Sequence, residues 1–231
     1  MAEALEVLYC DNHLLVVSKP AGLPSVPDAS GDESLLGRAK AWVRQHYHKP
    51  GAVFLGVVQR LDRPVSGALV FARTSKSAAR LSEALREQRA EKVYWALAEG
   101  AARADEGELV QWLWKDEPKN RVHVCGKGRE GAREARTRWR VLAREAGRTL
   151  YEFRPASGRP HQLRVAAATL GTPLCGDLKY GARAALADQS IALHARELAF
   201  EHPTRPERVR CVAALPLLPD WEFARARLTR P

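Results

Sequence analysis

The chain has 231 residues, 45% of them hydrophobic, and 37 Lys and Arg against 27 Asp and Glu give it a net charge of +10. That length buries a substantial core as one large domain or two small ones, and the apolar fraction is ordinary for a globular protein. No apolar run approaches the ~20 residues that span a bilayer, and the cationic excess favours a polyanionic partner, because clustered cations gain free energy by releasing counterions from phosphates.

The first residues, Met1-Ala2-Glu3-Ala4-Leu5-Glu6, hold neither a basic segment nor a long apolar one, so no secretory signal is read there and cytoplasm is the expected location. Asp11-Asn12 marks a turn and Leu14 to Val17 a short buried strand. Pro20-Ala21-Gly22-Leu23-Pro24 forces a loop, since both prolines lack an N–H and Gly22 admits positive φ. Leu36, Ala39, Trp42 and Val43 recur at helical spacing, which predicts a helix over 33–47, stopped by Pro50-Gly51. Val53 to Val58 reads as a strand leading straight into Arg60-Leu61-Asp62, and Ala68 to Ala72 as another after the turn at Pro64 and Gly67. Thr74 is the N-cap of a helix running to about Arg89, with Ala78, Leu81 and Leu85 on one face.

Glu91 to Glu99 alternates as a half-buried strand, with Tyr94 on the face opposite Trp95. Trp112 and Trp114 share one strand face and read as packing residues. The stretch 116–138 is polar and reads as a loop or a hairpin with its tip at Gly126 to Gly131. Thr137 to Val141 and Thr149 to Phe153 read as paired strands. Ser157-Gly158-Arg159-Pro160 reads as a turn feeding a helix that starts on Pro160 and is closed by Gly171. Strand-like pieces follow near Ala192 to Phe200 and Arg210 to Leu215. Strands outnumber helices without regular alternation and the composition does not shift along the chain. The expectation is therefore one α+β domain over 1–231 with a largely antiparallel sheet. Cys10, Cys125, Cys175 and Cys211 form no C-x-x-C pair and no histidine stands at zinc spacing beside them, so reduced thiols and no metal are expected. No glycine-rich nucleotide fingerprint is present.

Three segments carry candidate chemistry. Gln59-Arg60-Leu61-Asp62-Arg63-Pro64 sets one carboxylate between two arginines after an apolar run. Asp62 is either an ion-pair partner of Arg60 or Arg63 or a reactive group. The strand before it, the extended bias imposed by Pro64 and two cationic neighbours that keep it ionised move the odds toward the second reading, but the segment on its own leaves the ion-pair reading ahead. Tyr94 is either a packed aromatic or a ring that stacks on a base, with a phenol able to move a proton; Lys92 shares its face and suits a phosphate. Gly158-Arg159-Pro160-His161-Gln162-Leu163-Arg164 places Arg159, His161 and Arg164 in the first turns of a helix, which works against the helix dipole unless an anion is near. Lys19 reads equally as a phosphate contact or a solvated loop charge.

Together these segments resemble the RluA-type pseudouridine synthases. Residues 59–67 look like that family's His-Arg-Leu-Asp-x-x-Thr-Ser-Gly motif. Further matches are Val16-Val17-Ser18-Lys19-Pro20-Ala21-Gly22, Glu91 to Leu97, Gly158 to Val165, Gly176-Asp177-Leu178-Lys179-Tyr180-Gly181, Leu193-His194-Ala195 and Phe200-Glu201-His202-Pro203. They run in order from about residue 7 to 216. Gln59, Val65 and Ala166 stand where the family usually has histidine, threonine and histidine. The chain looks like the short form of the family, without the small N-terminal RNA-binding domain of many relatives.

The resemblance implies a pseudouridine synthase fold: a mixed, mostly antiparallel sheet with flanking helices and loops around a central RNA-binding cleft. It implies an enzyme that needs no cofactor and isomerises a uridine of tRNA or ribosomal RNA after flipping the base; a monomer is the default expectation. By the same carry-over Asp62 is the catalytic carboxylate, Tyr94 stacks on the uracil and helps remove its carbon 5 proton, and Arg164 pairs with Asp62. Arg60 enters the RNA stack. Lys19, Lys92, Arg159 and His161, read above from the residues themselves, are the further candidate RNA contacts. A non-catalytic RNA-binding or chaperone protein on the same fold is the alternative. A metal-dependent nuclease needs clustered carboxylates that the sequence lacks.

Overall fold

The computed structural model describes residues 4–227. In chain order the elements are β1 (Glu6–Cys10), β2 (Leu14–Lys19), α1 (Leu35–His46), β3 (Gly56–Val57), β4 (Ser66–Ala72), α2 (Ser75–Arg86), β5 (Glu91–Glu99), β6 (Glu106–Asp116), β7 (Arg121–Cys125), β8 (Arg133–Glu145), β9 (Arg148–Pro155), α3 (Gln162–Thr169), β10 (Leu193–Glu201), β11 (Arg208–Val212) and α4 (Glu222–Arg225). Strands outnumber helices, which do not alternate with them regularly, and the pairing is mostly antiparallel, so the α+β expectation holds. The chain divides into two compact units, residues up to 91 with 195–214, and residues 92–194 with those from 215 on.

In the first unit β2 pairs antiparallel with both β1 and β4, β3 adds to β4, and β11 pairs with β10. Leu14, Val16, Ala68, Val70, Leu81, Leu198 and Phe200 form its core. α1 and α2 begin where a hydroxyl takes an orphan amide: Ser34 accepts from Gly37 N and Thr74 from Ser77 N. Gly67, at φ +116°, lets β4 pass β10, because a Cβ there would lie 2.3 Å from the Ala195 carbonyl oxygen.

In the second unit β5, β9, β8, β6 and β7 form an antiparallel succession. One face of β6–β8 packs on α3, through Leu113, Val122, Ala135 and Val165 and through a bond from Gln111 Nε2 to Thr169 Oγ1.

Four expectations change. The strand read at 53–58 reduces to the two residues of β3, because Gly56 crosses α2 with no room for a side chain: a Cβ there would sit 2.8 Å from that of Ala78. α2 ends at Arg86, three residues early, and Gln88 turns left-handed after it. The polar stretch 116–138 holds a whole strand, β7, whose Val122 is buried while Arg121 and His123 are exposed. α3 starts at Gln162 and not Pro160, since His161 has φ +50° and cannot lie inside a right-handed helix.

Candidate functional site

In the first unit, Asp62 sits on a turn whose neighbours are pinned on both sides. Leu61 before it is buried, and Ser25 clamps its backbone twice: Ser25 Oγ donates to the Leu61 carbonyl at 2.7 Å and accepts from Leu61 N at 3.1 Å. Arg63 after it offers a carbonyl that accepts from Gly22 N at 2.9 Å and from Lys19 Nζ at 3.0 Å. The Asp62 carbonyl accepts from Val65 N at 3.0 Å, closing the turn over Arg63 and Pro64. Gly22, at φ +82°, takes the turn conformation its loop requires. The carboxylate itself is partly buried on this rigid support.

The two flanking arginines differ. Arg60 is exposed. Arg63 points into the 22–32 loop, where its Nε donates to the Gly22 carbonyl at 2.9 Å and its Nη2 pairs with Asp32. Its guanidinium is a tie between loops, and the sequence alone gives no sign of Asp32 as its partner.

Lys19 departs from its expected surface place. It is 1% exposed, opposite Gly67 in the β2–β4 register, and its amine donates to the carbonyls of Pro20 (2.8 Å) and Arg63 (3.0 Å). Burial pushes that amine down to about 7; the Asp62 carboxylate opposes the shift and Arg63 adds to it. Lys19 is thus a buried brace under the Asp62 turn, electrostatically coupled to it.

In the second unit, Tyr94 lies on β5 opposite Phe153 of β9 and is partly buried. Lys92 shares its face, and burial lowers the Lys92 pKa. On α3, Arg164 forms a buried bidentate pair with Asp177: Nε to Oδ2 at 2.7 Å and Nη2 to Oδ1 at 2.8 Å, with the two side chains 7% and 0% exposed. The guanidinium also stands 5.0 Å from the centre of the Tyr180 ring. The anion that the cationic start of α3 calls for is therefore present in the chain. Asp177 lies in one of the family-like segments, but nothing in the sequence marks which cation it faces.

His161 is likewise not on the surface. It is 9% exposed, and its Nδ1 is 2.7 Å from the Tyr180 hydroxyl, which also accepts from Val122 N at 2.8 Å. Arg159 is exposed, with its Nε bonded to the Glu134 carbonyl at 2.9 Å. Gln162, which carries no signal of its own in the sequence, holds this loop: its Oε1 accepts from Ser157 Oγ and Arg159 N, and its Nε2 donates to the Arg136 carbonyl and Thr137 Oγ1. All four bonds of a buried amide are satisfied, which fixes the start of α3 on β8.

The profile of the RNA pseudouridylate synthase family matches residues 13–169. An uncharacterised RNA pseudouridine synthase of Zymomonas mobilis is 38% identical over 218 residues, covering 93% of this chain and 94% of its own. The dual-specificity RNA pseudouridine synthase RluA of Haemophilus influenzae is 35% identical over 211 residues, covering 88% of this chain and 90% of its own. Among solved structures, human RNA pseudouridylate synthase domain containing 4 superposes with a TM-score of 0.78 at 22% identity, over 96% of this chain and 92% of that one. No described helix is long and apolar enough to cross a membrane. The matched profile spans the Asp62 turn, β5 and α3 together, and the chain belongs to the RNA pseudouridine synthases, isomerases that convert uridine in RNA to pseudouridine.

Proposed function

We propose that the protein isomerises a specific uridine of tRNA or ribosomal RNA, with Asp62 as the reacting carboxylate. In this reading the target nucleotide is flipped from its stack, because a glycosidic bond is out of reach inside one. The bond from ribose carbon 1 to N1 breaks, the uracil turns, carbon 5 bonds to the ribose, the carbon 5 proton leaves, and N1 takes up a proton. Asp62 acts as the nucleophile or as the base that removes a ribose proton. Tyr94 stacks on the uracil and takes part in removing the carbon 5 proton. Arg164 is the cationic counterpart of the carboxylate. Arg60, exposed beside the turn, takes the place of the extruded base, and Arg159 and Lys92 serve the phosphates. Residues 1–231 work as one catalytic domain, as a cytoplasmic monomer.

The observation that carries the reading is the support of Asp62. A structural aspartate needs one good partner, whereas here Ser25, Lys19 and Gly22 fix the backbone on both sides of a partly buried carboxylate. Such preorganisation is what a reacting group requires. The test is tritium release from transcripts labelled at uridine carbon 5. Wild type releases tritium from at least one tRNA or ribosomal RNA, and Asp62→Asn releases none. Equal release by the variant removes Asp62 from the role. No release by wild type on total RNA from cells lacking the enzyme removes the catalytic reading.

A further inference from the structure

The outer face of the second unit's sheet carries a surface that the chemistry above does not use. Gln111 and Leu113 point from β6 to α3; by strand alternation Trp112 and Trp114 point the other way. Both indoles are partly exposed. His123 of β7 lies across from Trp114, ring centres 6.1 Å apart.

The hairpin between β7 and β8 folds back over them. The Arg129 guanidinium stands 3.6 Å from the centre of the Trp114 ring and the Lys127 amine 5.7 Å from that of Trp112. The tip is ordered: Arg129 N donates to the Gly126 carbonyl at 3.2 Å and Ala132 N to the Arg129 carbonyl at 3.1 Å. A Cβ on Gly131 would rest 3.6 Å from the Trp114 indole, so the hairpin lies close along the ring.

Charge separates this patch from the rest of its face. Elsewhere on it arginines are neutralised: Arg136 and Arg138 by Glu108, Arg140 and Arg154 by Glu152. Among the described residues Lys127 and Arg129 have no carboxylate within ion-pair distance, and residues 121–133 hold four Lys or Arg against one Glu. Exposed indoles interleaved with unneutralised cations fit a polyanion that also offers flat rings. A single strand does both: its phosphates meet the cations, and its unpaired bases stack on the outer plane of the Arg129 guanidinium, which the Trp114 ring backs.

From this we infer that Trp112, Trp114, His123, Lys127 and Arg129 form a docking surface for a single-stranded segment of RNA, on the sheet face away from α3. The inference deepens the proposed function, since the segment is part of the RNA that carries the target uridine. It is tested without turnover. A fluorescein-labelled single-stranded RNA of ~12 nucleotides is titrated with wild type, with the double variant Lys127→Glu/Arg129→Glu, and with Trp114→Leu, at several salt concentrations. The double variant binds at least about fivefold more weakly and its salt slope falls by roughly 1 to 2. Trp114→Leu weakens binding with the slope kept, since it removes the ring that backs the Arg129 guanidinium and no charge. Arg86→Glu, an exposed reversal on α2, leaves both unchanged. Circular dichroism melting checks that each variant is folded. Unchanged affinity and slope in the folded double variant overturn the surface, whatever else that face binds. A protein that binds the oligonucleotide through these residues yet isomerises no RNA keeps the surface and loses the proposed function; the reverse result does the opposite.

Discussion

Arg164 and Asp177 lock each other in place: two parallel bonds of 2.7 and 2.8 Å join side chains that are almost wholly buried. A lone buried guanidinium is costly, and the bidentate fork both neutralises it and sets the plane in which it lies. Asp177 therefore fixes the position of the Arg164 guanidinium.

Removing one partner of such a pair strips the other buried charge of the two bonds that hold it. Asp177→Asn keeps the shape but loses the anion, and the variant unfolds with a loss of about 3 kcal/mol in urea titrations. Arg164→Lys retains the charge and loses the fork. At a temperature where both stay folded, both show a kcat for tritium release lowered more than tenfold, with RNA affinity changed less. A purely structural pair would leave kcat of the folded fraction unaltered.

The parts of this fold that are legible in the sequence are those held by local pattern. β5 is read to its end residues because Val93, Trp95 and Leu97 alternate with Lys92, Tyr94 and Ala96. α2 is read from Thr74 because a hydroxyl before an apolar stripe is a local signal. β7 is illegible because one buried valine among Arg121, His123 and Cys125 gives an edge strand the composition of a loop. The supports of the site are hidden for a different reason. Ser25 meets Leu61 across 36 residues, Arg63 meets Gly22 across 41, and Arg164 meets Asp177 across 13. A single sequence states that these residues are polar; only the fold states which of them meet. Lys19 shows the same limit, since the sequence leaves a lysine beside a Pro-Gly loop on the surface and the structure buries it.

That burial has a pH signature. The Lys19 amine titrates at about 7 in the folded chain against an ordinary 10.5. Between those values the unfolded chain holds the extra proton, so the Lys19 contribution to stability rises with pH, and below about 7 the full cost of burying the charge is present. Cys175 and Cys211, pushed up from 9.0 to about 11 by burial, act on stability between those values and are common to wild type and Lys19→Met, so they cancel from the comparison. Urea unfolding of wild type and Lys19→Met at about pH 6.5 and about pH 8.5 reads the effect. Wild type gains on the variant as pH rises. An equal difference at both values would mean that Lys19 stays charged, held so by its two carbonyls and Asp62.

The clamp by Ser25 offers the most direct separation of support from chemistry. Ser25→Ala deletes the acceptor of the Leu61 amide and the donor to the Leu61 carbonyl in one step, both at a buried residue. Leaving such groups unpaired costs about 2 kcal/mol, which a chain of ordinary stability survives. The turn that carries Asp62 is then free to shift, and a displacement of a reacting group by an ångström costs of order tenfold to a hundredfold in rate. The expected outcome is a folded protein whose kcat for tritium release is at least about tenfold lower and whose RNA dissociation constant changes by less than about twofold. If KM rises while kcat holds, the loop that Ser25 anchors contacts RNA directly and its service to Asp62 is refuted.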